Sequence, residues 1–280
     1  MHRTLSATLL SLSALAGASR ADDTPLTPIA AGTPAAATAP IATAAAAQGT
    51  NYLIGLGVGL APEYEGGKKN RLVPIPLLEA QFANGIFVSS ARGLGYQRAV
   101  QGVSLGAALA YGGARPDHKE NSFYGSDDFK GMGKVEGSAQ LNLSASAQFG
   151  AVAVSVGTTQ ALSHRENGST YSIGAAAPLY RSGADSIGWS VSAEYGDAKH
   201  MQTYYGVTAA QSLASGYRQA KNKAGFEKIQ AGLHWEREID KSWVMRSALG
   251  VSALLGDAAD SPLTRRRVAP VLMTGVGYKF

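Results

Sequence analysis

The chain has 280 residues and a formal net charge of +5, with 45% hydrophobic residues, 16% charged residues and no cysteine. The absence of cysteine excludes disulfides, thiolate metal sites and cysteine nucleophiles, and the hydrophobic content excludes a wholly disordered chain. The charge is too small and too evenly spread to indicate a nucleic-acid-binding surface.

The first 21 residues predict a secretory signal peptide. Arg3 supplies the positive start, Leu5–Ala16 the apolar stretch, and small residues allow cleavage after Ala21 or Ala18. The apolar stretch is shorter than the ~20 residues of a spanning helix, and no later segment approaches that length without polar residues. A helical membrane protein is therefore not expected. Loss of Arg3 and Arg20 on cleavage would leave a net charge of about +3.

Residues 22–50 predict a disordered periplasmic tail rich in alanine, proline and threonine. The stretch has almost no large apolar side chains, so it cannot bury enough surface to offset its chain entropy. Fully extended at ~3.1 Å per residue it would reach ~90 Å, which allows either a tether or a featureless spacer.

Residues 51–280 predict an all-β domain, because apolar residues recur at every second position. Between Val135 and Phe149 the odd positions are apolar or small and the even positions are mostly polar. This period excludes an amphipathic helix, and the length suits a tilted membrane strand with ~9–11 residues inside the bilayer. We predict a transmembrane antiparallel up-and-down β-barrel with its apolar face toward lipid. Similar alternation occurs over 52–60, 103–111, 187–195, 229–236, 243–251 and 268–280.

The connections between the predicted strands alternate between short and long. In outer-membrane barrels the short turns face the periplasm and the long loops face outward. Both chain termini are therefore predicted to be periplasmic. Short connections lie at 84–85, 149–150, 182–185 and 240–241, and long ones at 61–70, 114–133, 163–169, 199–225 and 256–267.

The strand count depends on the region between Pro74 and Gly102. A plain count gives eleven strands, and the directions of the neighbouring strands require one more inward strand. We therefore predict a short, glycine-broken strand over Gly93–Arg98 and twelve strands in all, with ten as the alternative. Pro74 and Pro76 cannot donate ladder hydrogen bonds, so this region is predicted to be irregular.

The predicted closing strand, Val268–Phe280, ends the chain on an aromatic residue. Its even-numbered residues form the outer face, and Gly275, Gly277 and Lys279 lie on the inner face. The spacing of Gly275, Tyr278 and Phe280 resembles the membrane-assembly signal in the last strand of bacterial outer-membrane barrels. The expected partners are therefore outer-membrane lipid, lipopolysaccharide and the barrel-assembly machinery.

Taken together, the motifs after Asn51 resemble the MipA/OmpV family of outer-membrane proteins, although the alanine-, proline- and threonine-rich tail departs from that pattern. The resemblance implies an outer-membrane barrel. Its best-known member is a scaffold that binds a membrane-bound lytic transglycosylase and a bifunctional, penicillin-binding murein synthase, which links peptidoglycan hydrolysis to growth. Other members are described as porin-like or adhesive proteins, or as determinants of antibiotic susceptibility. The motifs are Gly55–Gly59, Pro62–Gly66, Pro74–Pro76, Arg92–Gly95, Tyr204–Val207, Ala214–Tyr217, Asp260–Leu263 and Gly275–Phe280.

Catalytic chemistry has weak support in the sequence, and the resemblance implies no catalytic residues. Ser163, His164 and Glu166 resemble the parts of a serine hydrolase acting on lipid at the outer rim. Adjacent residues of a strand point to opposite faces, however, and a loop site would remain in water. The Gly55–Gly59 run is not a nucleotide fingerprint, because no helix pattern follows it. We predict no enzymatic activity and no cofactor; the glycines are expected to leave room inside the barrel.

Charged and histidine side chains in the predicted loops are interpreted as polar surface. Three or four converging ligands are needed for a metal site, and the histidines are scattered, so no metal is predicted. The acidic pairs in the loops could attract divalent ions, but we favour the interpretation that they are solvated loop charges. We interpret the run of three arginines at 265–267 in the same way. The loop residues concerned are His118 and His200, Glu63 and Glu65, Asp127 and Asp128, and Arg265, Arg266 and Arg267, whereas His234 faces the predicted lumen.

The longest predicted loop carries Tyr204, Tyr205 and Tyr217. Exposed aromatic residues can contact a partner, and they can equally pack a loop over the barrel mouth. Both interpretations remain open from the sequence.

The leading functional hypothesis is a non-enzymatic scaffold for murein-remodelling enzymes in the outer membrane. The alternative is a small-solute, porin-like channel, since a barrel of about twelve strands is wider than one filled by its own side chains. A lipid-modifying enzyme centred on His164 is a third hypothesis.

Overall fold

A computed structural model describes residues 50–280, which form a closed antiparallel barrel of twelve strands. Each strand pairs with its sequence neighbours, and β1 closes the barrel against β12. The predicted signal peptide and all but the last residue of the predicted tail lie outside the described residues. The strands are β1 Asn51–Pro62, β2 Asn70–Gln81, β3 Ile86–Ser89, β4 Gly93–Val100, β5 Val103–Gly112, β6 Ser138–Phe149, β7 Val152–Ala161, β8 Ser169–Ser182, β9 Asp185–Gly196, β10 Gly225–Glu238, β11 Trp243–Leu254 and β12 Val268–Lys279.

The predicted alternation of side chains between the two faces is confirmed. In β1 the outward Leu56 is 68% exposed, whereas the inward Leu53 is buried. In β12 the outward Leu272 is exposed and the inward Met273 is buried. A barrel surface covered with large exposed apolar side chains is unfavourable in water and matches hydrocarbon, so these strands span a membrane. No helix between residues 50 and 280 is long and apolar enough to cross one.

The start of β1 and the end of β12 lie next to each other at one end of the barrel, which is called here the rim. Tyr52 N donates to Phe280 O at 3.3 Å, and Phe280 N donates to Tyr52 O at 3.2 Å. The rings of Tyr52 and Phe280 stack with their centroids 5.4 Å apart, and the ring centroids of Trp243 and Tyr278 lie 5.2 Å apart. These aromatic residues lie where a membrane barrel places an interfacial girdle. The opposite end of the barrel is called the mouth.

The predicted short strand is confirmed as β4, which excludes the ten-stranded alternative. Gly93 begins β4 with a φ of 86°, and a Cβ there would collide with the carbonyl oxygen of Leu109. Only glycine adopts this conformation so close to a neighbouring strand without strain. β3 and β4 therefore form a short hairpin that turns back at Ser90–Arg92, partway along the wall.

The prediction of irregular structure at Pro74 and Pro76 is wrong for the strand itself, although β2 pairs with β3 only over Glu79–Gln81. Both prolines lie inside a regular β2, where Pro74 pairs with Val58 and Pro76 with Leu56. The physical reason lies in the direction of their nitrogens. Alternate residues of an antiparallel strand direct their backbone groups toward opposite neighbours, and Leu78 N and O bond to Ser90, on the side away from β1. Pro74 and Pro76 share the parity of Leu78, so neither removes a bond to β1.

The predicted 135–149 strand is shorter in the structure. β6 begins at Ser138, and Val135 instead forms an isolated antiparallel bridge with Arg115. The backbone of Val135 is thus used to hold a loop across the mouth rather than to extend the wall.

The long connections fold over the mouth and carry short helices. These are α1 (Ala198–Tyr205), α2 (Ala209–Ser215) and α3 (Gly256–Ala259), with two 3-10 turns at Asp127–Phe129 and Arg165–Asn167. Together the loops 63–69, 113–137, 197–224 and 255–267 are called here the cap.

The glycines on the inner face of β1 allow close approach of β12, which gives a testable prediction. A Cβ at Gly57 would lie 2.7 Å from Thr274 O and 3.1 Å from Gly275 Cα. We expect Gly57→Val to destabilise the closing seam by ~1–3 kcal/mol, because the added side chain would collide with backbone atoms, which cannot move aside easily. The folded barrel should lose its heat-modifiable mobility in SDS gels at a lower temperature. The control is Gly225→Val, at a position with no atom within 4 Å of the added Cβ; equal melting of the two variants would contradict the prediction.

Candidate functional site at the barrel mouth

The cap is held by two apolar clusters that join loops distant in sequence. Apolar side chains from all four cap loops meet in them, so the loops pack on one another rather than extend into solvent. The mouth is thereby covered. The first cluster comprises Tyr64, Phe129, Met132, Val207 and Leu263, and the second comprises Met201, Tyr205, Leu254 and Ala258.

Below the cap, Lys228 of β10 lies at the centre of a buried group of charges. Only 2% of its side chain is exposed. Its Nζ lies 2.7 Å from Glu65 Oε1, 3.2 Å from Glu194 Oε2 and 3.3 Å from Glu227 Oε1. One ammonium group therefore connects a cap loop to two adjacent strands of the wall.

Helix α1 adds two more polar groups to this site. His200 Nε2 lies 2.8 Å from Glu227 Oε2, and Tyr205 OH donates to Glu65 Oε2 at 2.9 Å. Asp197 is the N-cap of the helix and accepts from the backbone N–H of His200, which fixes the first turn over the mouth. Glu65, Glu194, Glu227, Lys228, His200 and Tyr205 are called here the mouth cluster.

The electrostatics of the mouth cluster depend on His200. Burial by itself lowers the pKa of His200, but the charge of Glu227 and their hydrogen bond outweigh it, so the pKa is raised above 6.5. Burial raises the pKa of Glu65 against the opposing charge of Lys228. Burial also raises the pKa of Tyr205, which stays a neutral donor. With three carboxylates and one lysine, a protonated His200 reduces the excess of negative charge.

Arg71 closes one side of the cap. Its Nη2 donates to Glu63 O at 2.6 Å and its Nη1 to Gly125 O at 3.0 Å. These bonds join the start of β2 to two loops. The carboxylate of Glu63 accepts from Ser126 Oγ at 2.9 Å. The arginine thus acts here as a multiple donor to backbone, which its fork geometry suits.

Arg115 is the second buried arginine of the cap. Its Nη1 donates to the carbonyls of Thr203 and Tyr204 at 3.2 and 3.3 Å, and its guanidinium lies 4.5 Å from the ring centre of Phe129. Burial lowers the pKa of Arg115 to about 10. Both arginines border a cavity of about 60 Å³ beside the mouth cluster, which is large enough for a few waters.

Several predicted residues have a different environment from the one expected. Glu63 and Glu65 were predicted as solvated loop charges, yet Glu63 is buried and Glu65 pairs with the buried Lys228. His200 was predicted in a loop and lies on α1. The alternation of the strands contained a signal that could have predicted this site. Glu194 and Lys228 have the alternation of the inward-facing residues in strands next to the long loops, and a buried charge there needs a partner.

The other predicted residues lie at several places in the barrel. Tyr204 OH donates to Gly113 O at 2.6 Å and Tyr217 OH to Asp128 O at 2.8 Å, so both pack the cap, as Tyr205 does. Gly275 lies on the inner face beside the Leu77 side chain, and Tyr278 and Phe280 lie in the rim girdle.

The candidates for catalysis and metal binding are separated. Ser163 Oγ accepts from Ala139 N at 2.9 Å, and His164 has a left-handed backbone with a φ of 46° at the start of a 3-10 turn. His234 Nε2 lies 2.7 Å from Ser190 Oγ in the lumen, and His118 lies beside Asp117 in the cap. Within residues 50–280 no group of three or more histidines and carboxylates is arranged to hold a metal ion. The basic run 265–267 spreads over the cap surface, with Arg265 above the Tyr217 ring.

Comparison with known proteins identifies the family. The model of the MltA-interacting protein MipA family matches residues 54–280, and the chain belongs to this family. No curated protein matches the chain.

Solved structures with some likeness to the barrel include a porin, the protein OprB and an outer-membrane channel. The KdgM porin has 12% identity and a TM-score of 0.40, with 81% of this chain and 99% of that chain covered. OprB of Pseudomonas putida has 12% identity, a TM-score of 0.35, and coverage of 74% and 59%. The channel DcaP of Acinetobacter baumannii has 10% identity, a TM-score of 0.36, and coverage of 83% and 98%.

The buried position of Lys228 predicts that its charge holds the cap. Lys228→Met leaves three carboxylates without their shared cation, and we expect a loss of ~3–5 kcal/mol in cap stability. Hydrogen exchange of α1 and of loop 63–69 measures this change while heat-modifiable mobility reports on the wall. In the matched control, Lys279→Met breaks an ion pair of 2.6 Å at the rim whose carboxylate is 58% exposed, so we expect no more than ~1 kcal/mol. A cap equally protected in both variants would refute the role of Lys228.

The raised pKa of His200 predicts that the cap loosens as pH rises. A group with a raised folded pKa contributes stability that is fully present below its unfolded pKa and is lost as pH rises through its folded value. The window therefore lies above pH 6.5, the ordinary value. Exchange protection of α1, corrected for the intrinsic rate, should fall as pH rises through this window.

Two histidine variants test whether this dependence comes from His200. His200→Gln should flatten it, because the titrating group facing Glu227 is gone, whereas His234→Gln in the lumen should keep the wild-type slope. Unchanged pH dependence in His200→Gln would assign the effect to other groups near it, among which are Lys228 and Glu194.

Proposed function

We propose that this member of the MltA-interacting protein MipA family is a non-enzymatic outer-membrane barrel that serves as a scaffold for a lytic transglycosylase of the MltA type, and with it a murein synthase, during peptidoglycan growth. The observation that carries the proposal is the family match over residues 54–280, because the family is named for its interaction with MltA. The barrel supplies the membrane anchor that such a scaffold needs.

The rim is the surface we assign to the partner. It carries the end of β12 and the start of β1, so the chain before residue 50 is attached to the barrel at this surface. Its hairpins also present charged pairs: Lys279 with Glu238 at 2.6 Å and Arg237 with Asp185 at 3.3 Å. Exposed charges at an interface rim favour specificity and encounter rate rather than affinity, so we propose that the tail supplies part of the contact. We propose that both termini face the periplasm and the cap faces outward, because short turns face the periplasm and long loops face outward in outer-membrane barrels.

A small-solute channel is the second candidate, and the polar lumen favours it. Asn142, Thr159 and His234 line the inner wall with wettable groups. The cap opposes this function, because its apolar clusters and the mouth cluster cover the mouth. Conduction would therefore require the cap to open.

Affinity capture tests the scaffold. The mature protein, residues 22–280, is used as bait for detergent-solubilised envelopes in parallel with residues 50–280, and bound proteins are read by mass spectrometry. We expect enrichment of lytic transglycosylases and murein synthases on the longer bait, with weaker capture by the shorter one because the tail is missing. The matched control is an unrelated outer-membrane barrel of similar size. If neither bait captures more of these enzymes than the control, the scaffold function is wrong.

Planar-bilayer recordings separate the channel from the scaffold. Wild-type barrel should show no conductance steps, because the cap is closed, and Lys228→Met should show intermittent steps if the lumen below is open. Stable steps in the wild type would instead favour the channel.

A further inference from the structure

The barrel wall is interrupted beside β2. β2 pairs with β3 only over Glu79–Gln81, and one further backbone bond, from Ser90 N to Leu78 O, ends this contact. Beyond it the β3–β4 hairpin has turned back, so the β2 edge over 70–77 has no neighbouring strand. β5 pairs with β4 only as far as Leu109. The opening between these edges is called here the wall gap.

The upper border of the wall gap belongs to the cap. Arg71 Nη1 donates to Gly125 O, and this bond holds loop 113–137 beside the start of β2. The lower border is the Ser90–Arg92 turn, where Ser90 Oγ donates to Pro76 O at 2.7 Å. The gap in strand pairing is therefore bordered at both ends by hydrogen bonds and is not simply a frayed strand end.

The two prolines make this open edge compatible with a membrane. An unpaired backbone N–H in hydrocarbon costs several kcal/mol, and proline has no N–H. Pro74 and Pro76 have the parity that faces the gap, so the edge lacks two of the donors that would otherwise point into lipid. The same substitution discourages pairing with another strand. The two prolines therefore favour a β2 edge that stays unpaired at this place.

Behind the gap the lumen has an apolar strip. Ile75 and Leu77 point inward from β2 and pack over glycines of the closing seam, with Ile75 Cδ1 3.0 Å from a Cβ position at Gly59. Met273 is buried on the neighbouring inner face of β12. Toward the rim the apolar residues end at Glu79, whose carboxylate lies 3.6 Å from Arg246 Nη1. On the far wall the inner face is polar: Thr159 Oγ1 donates to Asn142 Oδ1 and His234 lies against Ser190, outside this strip.

The covered mouth leaves the gap as a sideways opening from the lumen to the bilayer. We propose that the wall gap is a lateral port through which a hydrocarbon chain of a membrane lipid enters the lumen and lies along the strip formed by Val73, Ile75, Leu77 and Met273. The occupant is a lipid chain because the opening lies among lipid-facing residues and the strip is apolar. The inference does not depend on the scaffold function, which uses the rim.

Single cysteines test the port, since the native chain has none. Ile75→Cys places a thiol behind the gap, Ser155→Cys places one on the far inner wall, and Leu56→Cys places one on the lipid face. Each variant carries a small thiol-reactive fluorophore in phosphatidylcholine vesicles, with or without lipid bearing nitroxide-labelled chains. Heat-modifiable mobility confirms folding of each labelled barrel.

The expected result is that chain-labelled lipid quenches the fluorophore at residue 75 by at least half as much as at residue 56, with little quenching at residue 155. Leu77→Cys repeats the test if Ile75→Cys does not fold. Quenching at residues 75 and 77 no greater than at residue 155 would overturn the proposal, because a closed wall excludes lipid from all inner positions equally.

Discussion

The constraint on which this structure depends is that backbone polar groups inside a membrane must be paired. Twelve antiparallel strands meet it by closing on themselves, with β1 against β12. The glycines of that seam, Gly57 and Gly275 among them, bring the two backbones together and keep the inner face free for larger side chains from β2. The wall gap is where pairing stops, and the chain answers the constraint there by omitting donors at Pro74 and Pro76.

The mouth obeys a different rule, that a buried charge needs a partner. Lys228 pairs with carboxylates from a loop and from two strands, and His200 joins from a helix. Such a group does not by itself make a protein more stable, because desolvation offsets much of the attraction. The contacts of Lys228 and His200 satisfy these groups with loop 63–69 and α1 in their present positions, so we expect the mouth cluster to fix where these two elements lie. The raised pKa of His200 predicts that its protonation strengthens this arrangement.

Most of the wall could be predicted from sequence, and most of the mouth could not. Strand alternation is a local pattern with a period of two, so β6 and β12 were recognisable, and the direction of neighbouring strands required β4. The regular β2 was missed because whether Pro74 disrupts a strand depends on which neighbour its nitrogen faces. The ion pair between Glu65 and Lys228 joins residues 163 apart in sequence, and no short-range pattern carries that pairing.

These features divide the barrel into three surfaces, which are the cap, the rim and the wall gap. The cap covers one end, so a solute entering from that side has to displace two apolar clusters and break the pairs of Lys228. The rim carries both strand ends and their exposed charges, where a protein partner has access without disturbing the barrel. The wall gap opens between them, toward lipid. Because the cap covers the mouth, free diffusion of small polar solutes through the barrel requires the cap to move, whereas the scaffold proposed here uses the rim and leaves the cap in place.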